Sequence, residues 1–338
     1  MSDLVTLGET MALLSAPRIG RLRDMAHLDL GVAGAESNVA IGTVRLGYSA
    51  SWIGRVGADE LGALVLATLR KEQVDVAGGV VDDAAPTALM VKERRIGDLV
   101  RVSYYRDGYA GSHLCPADVD DRLVATARVL HVTGITPALS SSARAAVDHA
   151  ITVARAAGVL VAFDVNYRSA LWRPDDAAPV LRALAKRADI VFAGEDELEL
   201  IDPARAGDGG GSTAGHGTAV AVDPARSRAD VEAALRISGG ARRTVVVKRG
   251  AAGATSFGPA GTVDEPAMPA VAVDPVGAGD AFVAGYLAAL LDGEDERGRL
   301  VLGCRAGAFA VSVVGDYEGL PSRADLALYD RGAGTTFR

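Results

Sequence analysis

The sequence predicts an α/β fold: a mainly parallel central sheet with helices on both faces and a small β lid. Three observations carry this. Short Val-rich runs alternate with helical patterns along most of the 338 residues, the order of strand, crossover helix and parallel strand. The runs are near-continuously apolar, as strands buried on both faces are. One stretch, 87–106, breaks the texture with two more polar, alternating strands around the turn "IGD", and reads as an exposed flap.

Taken in order, 4–8 (LVTLG) reads as a strand, 36–46 as a helix, 51–57 (SWIGRVG) as a strand and 60–71 as a helix. The flap strands follow at 87–95 and 99–106. From there, strands at 128–134, 159–165, 189–193 and 243–250 alternate with helical patterns at 141–157, 176–187, 228–238, 279–291 and 299–313. A sheet of this kind binds ligands beyond the carboxyl ends of its strands, and the flap would cover that edge. The glycine-rich 206–217 reads as a flexible low-complexity loop. It has no strand directly before it and no helix directly after it, as a nucleotide-binding loop requires.

Composition narrows the function. A net charge of -8 and a pI near 5.2, with no basic stripe, argue against nucleic acid as a partner. Of the 35 basic residues only Lys71, Lys92, Lys186 and Lys248 are lysines, a bias in keeping with the abundance of Ala and Gly. Cys115 and Cys304 form no CxxC pair, so neither a zinc site nor a disulfide framework is expected and a reducing cytoplasm fits. The first residues show no signal-peptide pattern. The longest apolar run, 281–291, is too short to span a bilayer, so no membrane partner is expected.

The chemistry concentrates in "DPVGAGDAFVAGYLAALL", 274–291. Gly277, Ala278 and Gly279 stand before the lone acid Asp280 at the mouth of a helical pattern. A helix N-terminus presents unpaired N–H groups and partial positive charge, and small residues let a phosphate reach the backbone. The three residues suit an anion hole for phosphoryl charge, and Asp280 can accept the proton of an attacking hydroxyl. Taken alone, the same residues also suit an ordinary helix start.

This stretch resembles the GAGD signature of the ribokinase (PfkB-type) carbohydrate kinase family. "GVAGAESNVAIGTVRLG" (31–47) resembles that family's N-terminal glycine-rich signature, and the resemblance runs from Leu4 to about Asp330. It implies a ribokinase-like three-layer sandwich, a kinase domain over 1–330, lid strands mainly within about 10–30 and 87–106, and a flexible tail at 331–338. It implies Asp280 as catalytic base, Gly277, Ala278 and Gly279 as anion hole, and Gly34 and Asn38 against the sugar. Lys248, Gly250 and Gly253 in "VVVKRGAAGA", together with Gly279, would lie beside ATP, and "GAFAVSVVGD" (307–316) would close over adenine. Mg²⁺ is implied with ATP, and K⁺ is possible at the loop carrying Asp274 and Val276. The family's NxxE motif is altered: Gly194 stands where Asn is usual, while Glu197 is retained as a metal-organising candidate.

The stretches 103–114, 131–140, 163–174 and 314–321 resemble 2-keto-3-deoxygluconate kinases. That resemblance makes a sugar acid the acceptor and implies Tyr104, Arg106, Ile135, Arg168 and Asp316 as substrate contacts. Leu89 stands where a second lid tyrosine is usual. Fructose or 2-keto-3-deoxygalactonate are the alternative acceptors, and a catalytically weak sugar or nucleotide sensor is the alternative class. The family likeness also implies a homodimer paired through the lid strands.

Overall fold

The computed structural model describes residues 2–96, 99–205, 224–239 and 243–329. The glycine-rich 206–217 and the 331–338 tail lie outside the described residues. Among the described residues thirteen strands form two sheets: β1 (Leu4–Leu7), β2 (Met11–Ser15), β3 (Asp29–Ala33), β4 (Ala50–Gly57), β5 (Gly79–Asp82), β6 (Leu89–Ile96), β7 (Leu99–Tyr105), β8 (Val129–Thr133), β9 (Leu160–Asp164), β10 (Ile190–Gly194), β11 (Thr244–Lys248), β12 (Ala254–Gly258) and β13 (Gly261–Glu265). Helices that matter below are α1 (Ala35–Arg45), α2 (Glu60–Lys71), α3 (Ser141–Ala157), α4 (Pro174–Arg187), α5 (Pro224–Ile237), α6 (Ala278–Asp292) and α7 (Glu296–Ala310).

The large sheet runs β13-β12-β11-β10-β9-β8-β1-β4-β5. It is parallel from β11 to β5, with β12 and β13 added antiparallel at one edge. Successive residues of its inner strands bury on opposite faces, as the period-2 geometry of a strand dictates. Val5, Leu130, Val161, Val191 and Val245 join the core under α3, α4 and α5. Leu4, Val129, Ala162, Phe192 and Val246 join the core under α1, α2, α6 and α7. Both faces are covered, giving the three layers that the Val-rich runs predict.

The second sheet, β3-β2-β6-β7, is the lid. Met11, Leu13, Ala33, Ala88 and Met90 pack as its own small core. Its outer face leaves Leu30 and Tyr105 exposed. Alternation along β6 and β7 then aims Met90, Lys92, Val100, Val102 and Tyr104 at the cavity beneath.

Some elements differ from expectation. Helix α7 starts at Glu296, three residues before the periodic pattern, because the Asp295 side chain accepts from the Gly298 amide and caps it. Strands β5, β12 and β13 have no alternation to announce them; two are four and five residues long at the sheet edges. Among the described residues no helix is long and apolar enough to cross a membrane.

Candidate active site

The carboxyl ends of the parallel strands, the start of α6 and the inner face of the lid enclose a cavity of about 670 Å³. Gly34, Asn38, Tyr104, Arg106, Ile135, Arg168, Glu197, Lys248, Gly277, Gly279, Asp280 and Asp316 all line it, although they come from across the sequence. Gly250 and Gly253 do not line it; they form the turn from β11 to β12, just past Lys248.

Helix α6 begins at Ala278, with Gly277 as its cap in the left-handed region, φ 76°. A Cβ on Gly277 would stand 2.1 Å from the Asp316 carbonyl oxygen, so conformation and close approach both demand glycine. Asp280, in the first turn, is 9% exposed. Asn38, from α1, donates from Nδ2 to Asp280 Oδ2 at 2.8 Å and to Asp316 Oδ2 at 2.9 Å. One amide thus holds two carboxylates side by side. The Gly34 amide adds a 3.3 Å bond to Asp316 Oδ2. A Cβ on Gly34 would lie 2.7 Å from the Glu9 carbonyl oxygen, so only glycine brings this backbone so close.

Burial pushes the Asp280 carboxyl up to about 7. The Asn38 hydrogen bond and Arg168 oppose the rise, while the negative neighbours Asp316 and Asp164 add to it. An acid balanced near neutrality can take a proton from a hydroxyl and release it afterwards. Burial also raises Asp316, against the Asn38 bond and the Lys92 charge.

Lys248, at the end of β11, donates to both Asp164 oxygens at 2.7 and 2.9 Å across the intervening strand β10. Burial works against the ammonium, but Asp164, Glu197 and Asp280 outweigh it and hold its pKa above the ordinary value. Its Nζ lies 3.6 Å from where a Gly279 Cβ would stand, which puts a fixed positive charge beside the first turn of α6. Glu197 Oε1 and Oε2 accept the Tyr167 and Gly194 amides, both at 2.7 Å. Gly194 itself has φ -73° and ψ 164°, a conformation open to any residue. Among the described residues no cluster of three His, Cys, Asp or Glu could hold a metal ion unaided. Glu197 lines the cavity with Lys248, and it is the acid that a Mg²⁺ arriving on phosphates with much of its water would meet there.

The two arginines differ. Arg168 is exposed, donates to the Tyr167 carbonyl at 3.2 Å, and forms no ion pair among the described residues. Arg106 is buried, pairs with Glu9 and lies over the Tyr104 ring at 5.3 Å. Burial raises the Glu9 pKa and Arg106 draws it back. Glu9 is a residue that sequence reasoning misses; its only sign is an acid placed directly after a buried strand. Glu36 is another, accepting 2.7 Å bonds from the Thr133 and Thr136 hydroxyls under the same cavity wall.

An acid at the mouth of a buried helix, with small residues and an ammonium beside it at a sheet's carboxyl edge, defines a small-molecule phosphotransferase. The chain belongs to the pfkB family of carbohydrate kinases, whose profile matches residues 1–323. It is 36% identical to the 2-dehydro-3-deoxygluconokinase of Bacillus subtilis over 97% of this chain and 95% of that one. It is 38% identical to the enzyme of the same name from Thermoproteus tenax, over 95% and 92%. The crystal structure of a PfkB protein from Polaromonas sp. JS666 superimposes with a TM-score of 0.81 at 35% identity, covering 97% of this chain and 99% of that one.

Proposed function

We propose that this protein transfers the γ-phosphoryl group of ATP to the terminal hydroxyl of 2-keto-3-deoxygluconate, giving 2-keto-3-deoxy-6-phosphogluconate and ADP. The observation that carries the reading is Asp280, balanced near neutrality at the entrance of α6 and facing the same cavity as the exposed Arg168. Relatives named for this activity match nearly the whole chain, which supports the choice of acceptor.

In this reading the acceptor hydroxyl lies against Asp280, which takes its proton as the oxygen bonds to the γ-phosphorus and the bond to the ADP oxygen breaks. Asn38 holds the carboxylate in place, and the first amides of α6 with Lys248 receive charge on the transferring group. Mg²⁺ brought by the nucleotide would supply further charge neutralisation, and Glu197 is the residue we assign to orient its water. The planar fork of Arg168 suits the acceptor's carboxylate. Arg106, already paired with Glu9, orders Tyr104 and the lid above the sugar. The lid excludes water and limits idle ATP hydrolysis. Lys248 is adjacent to the phosphates, and Gly250 and Gly253 shape the turn beside the nucleotide. The exposed outer lid face, with Leu30 and Tyr105, fits a dimer paired through the lid.

The test is Asp280→Asn, which keeps size and shape. Calorimetry should find both substrates bound with near-normal affinity while kcat falls by about 10²–10⁴. Near-normal turnover would remove Asp280 as the base.

A further inference from the structure

Lys92 is one of only four lysines in the chain, and its place is unusual. It stands on lid strand β6 but is 2% exposed. Its Nζ lies 2.6 Å from Asp274 Oδ2, and Asp274 is 1% exposed. Asp274 organises the approach to α6. Its Oδ1 accepts the Val276 amide at 3.2 Å, and its Oδ2 also accepts the Gly315 amide at 3.3 Å. The amides of Val273 and Asp274 both donate to the Val311 carbonyl, at 2.7 and 3.1 Å. One carboxylate thus ties the loop leading into Gly277 to the segment that carries Asp316.

A buried carboxylate with these bonds requires a counter-charge. A monovalent cation bound to this loop through Asp274 Oδ2 would compete with the ammonium for that oxygen. The ammonium already occupies the position, so the residues present do not fit a bound K⁺. Lysine suits the role, as a compact charge with three donors on a flexible stem. A second lid contact, Arg94 Nη2 donating to the Val273 carbonyl at 3.3 Å, fixes β6 against the same loop.

We infer that the Lys92 ammonium is a built-in cation for the loop that carries the anion hole, so that phosphoryl transfer needs no K⁺. Lys92 is then a positioning residue: it acts through Asp274 on Gly277–Gly279, and it couples lid position to the readiness of that site. The inference rests on the kinase reading above for its catalytic part, while the cation site itself can be tested without turnover.

The experiment compares KCl with tetramethylammonium chloride at equal ionic strength, reading kcat and the melting midpoint of wild type and Lys92→Met. Wild type should show the same kcat and midpoint in both salts. Lys92→Met should lose about tenfold to a hundredfold in kcat in tetramethylammonium. K⁺ should recover part of that loss and raise the variant's midpoint. A merely structural lysine would give a loss that K⁺ does not recover, and that result overturns the inference. So does activation of wild type by K⁺, or a Lys92→Met enzyme as active as wild type without K⁺. If the variant does not fold, the wild-type comparison still decides. If wild type turns over no acceptor, the kinase reading fails, and a wild-type midpoint raised by K⁺ alone would separately overturn the built-in cation.

Discussion

Replacing Asn38 with alanine removes the amide that holds Asp280 and Asp316 together, and its effect has a defined sign. Asn38 donates one N–H to Asp280 at 2.8 Å, and that bond favours the ionised carboxylate, opposing the burial that pushes Asp280 up to about 7. A hydrogen bond to a charged group contributes about 1.5–3 kcal/mol, and one pKa unit corresponds to about 1.36 kcal/mol. Removing the donor therefore moves the acid limb of the rate profile alkaline by about one to two pH units. The assay is kcat/KM between pH 5 and 10, which reports the free enzyme's base. Wild type should lose activity below about 7. The variant should need distinctly higher pH, whatever its affinity for the sugar. An acid limb that stays put, or moves to lower pH, would refute the account of how this base is tuned.

Three further outcomes follow from the same geometry. Arg168→Ala should lower kcat/KM for a sugar acid by about 10–100-fold, the worth of a charge-assisted pair, and barely change it for fructose; equal losses on both would remove the carboxylate role. Gly277→Ala forces a Cβ to within 2.1 Å of the Asp316 carbonyl oxygen at φ 76°, so activity should fall by about 10²-fold as the start of α6 shifts, and an unaffected enzyme would contradict the close fit. Asp280→Asn should also stabilise the fold. The folded carboxyl is raised from 3.8 to about 7, so what neutral Asp280 contributes at low pH is lost as pH rises through about 7. The variant's gain in melting midpoint should therefore be larger at pH 8 than at pH 5, and an equal gain at both would count against the raised pKa.

Much of this architecture is written in local pattern. Val-rich strands buried on both faces need no tertiary information to be recognised, and β8, β9, β10 and β11 lie within a residue or two of the apolar runs. The helix mouth at 277–280 is legible for the same reason, since small residues before an acid suit the start that α6 takes there, whereas the chemistry proposed for it comes from the family resemblance. What stays hidden is pairing at a distance. Nothing in "LGET" shows that Glu9 meets Arg106 some 97 residues on, and nothing in the lid sequence shows that Lys92 reaches Asp274, 182 residues away. Such pairs depend on how the lid closes over the sheet edge, which periodicity does not encode. Helix α7 is legible in its middle but lies three residues earlier than the pattern at both ends, Glu296–Ala310 against 299–313, with Asp295 capping its start.

This cavity is proposed to phosphorylate a sugar acid. The most direct test is ADP release by the purified protein with Mg-ATP and a panel of 2-keto-3-deoxygluconate, 2-keto-3-deoxygalactonate, fructose, ribose and adenosine. The highest kcat/KM is expected on 2-keto-3-deoxygluconate, well above every neutral acceptor. Turnover confined to a neutral sugar would contradict the carboxylate role of Arg168 while leaving Asp280 as base; no turnover on any acceptor would contradict the claim itself.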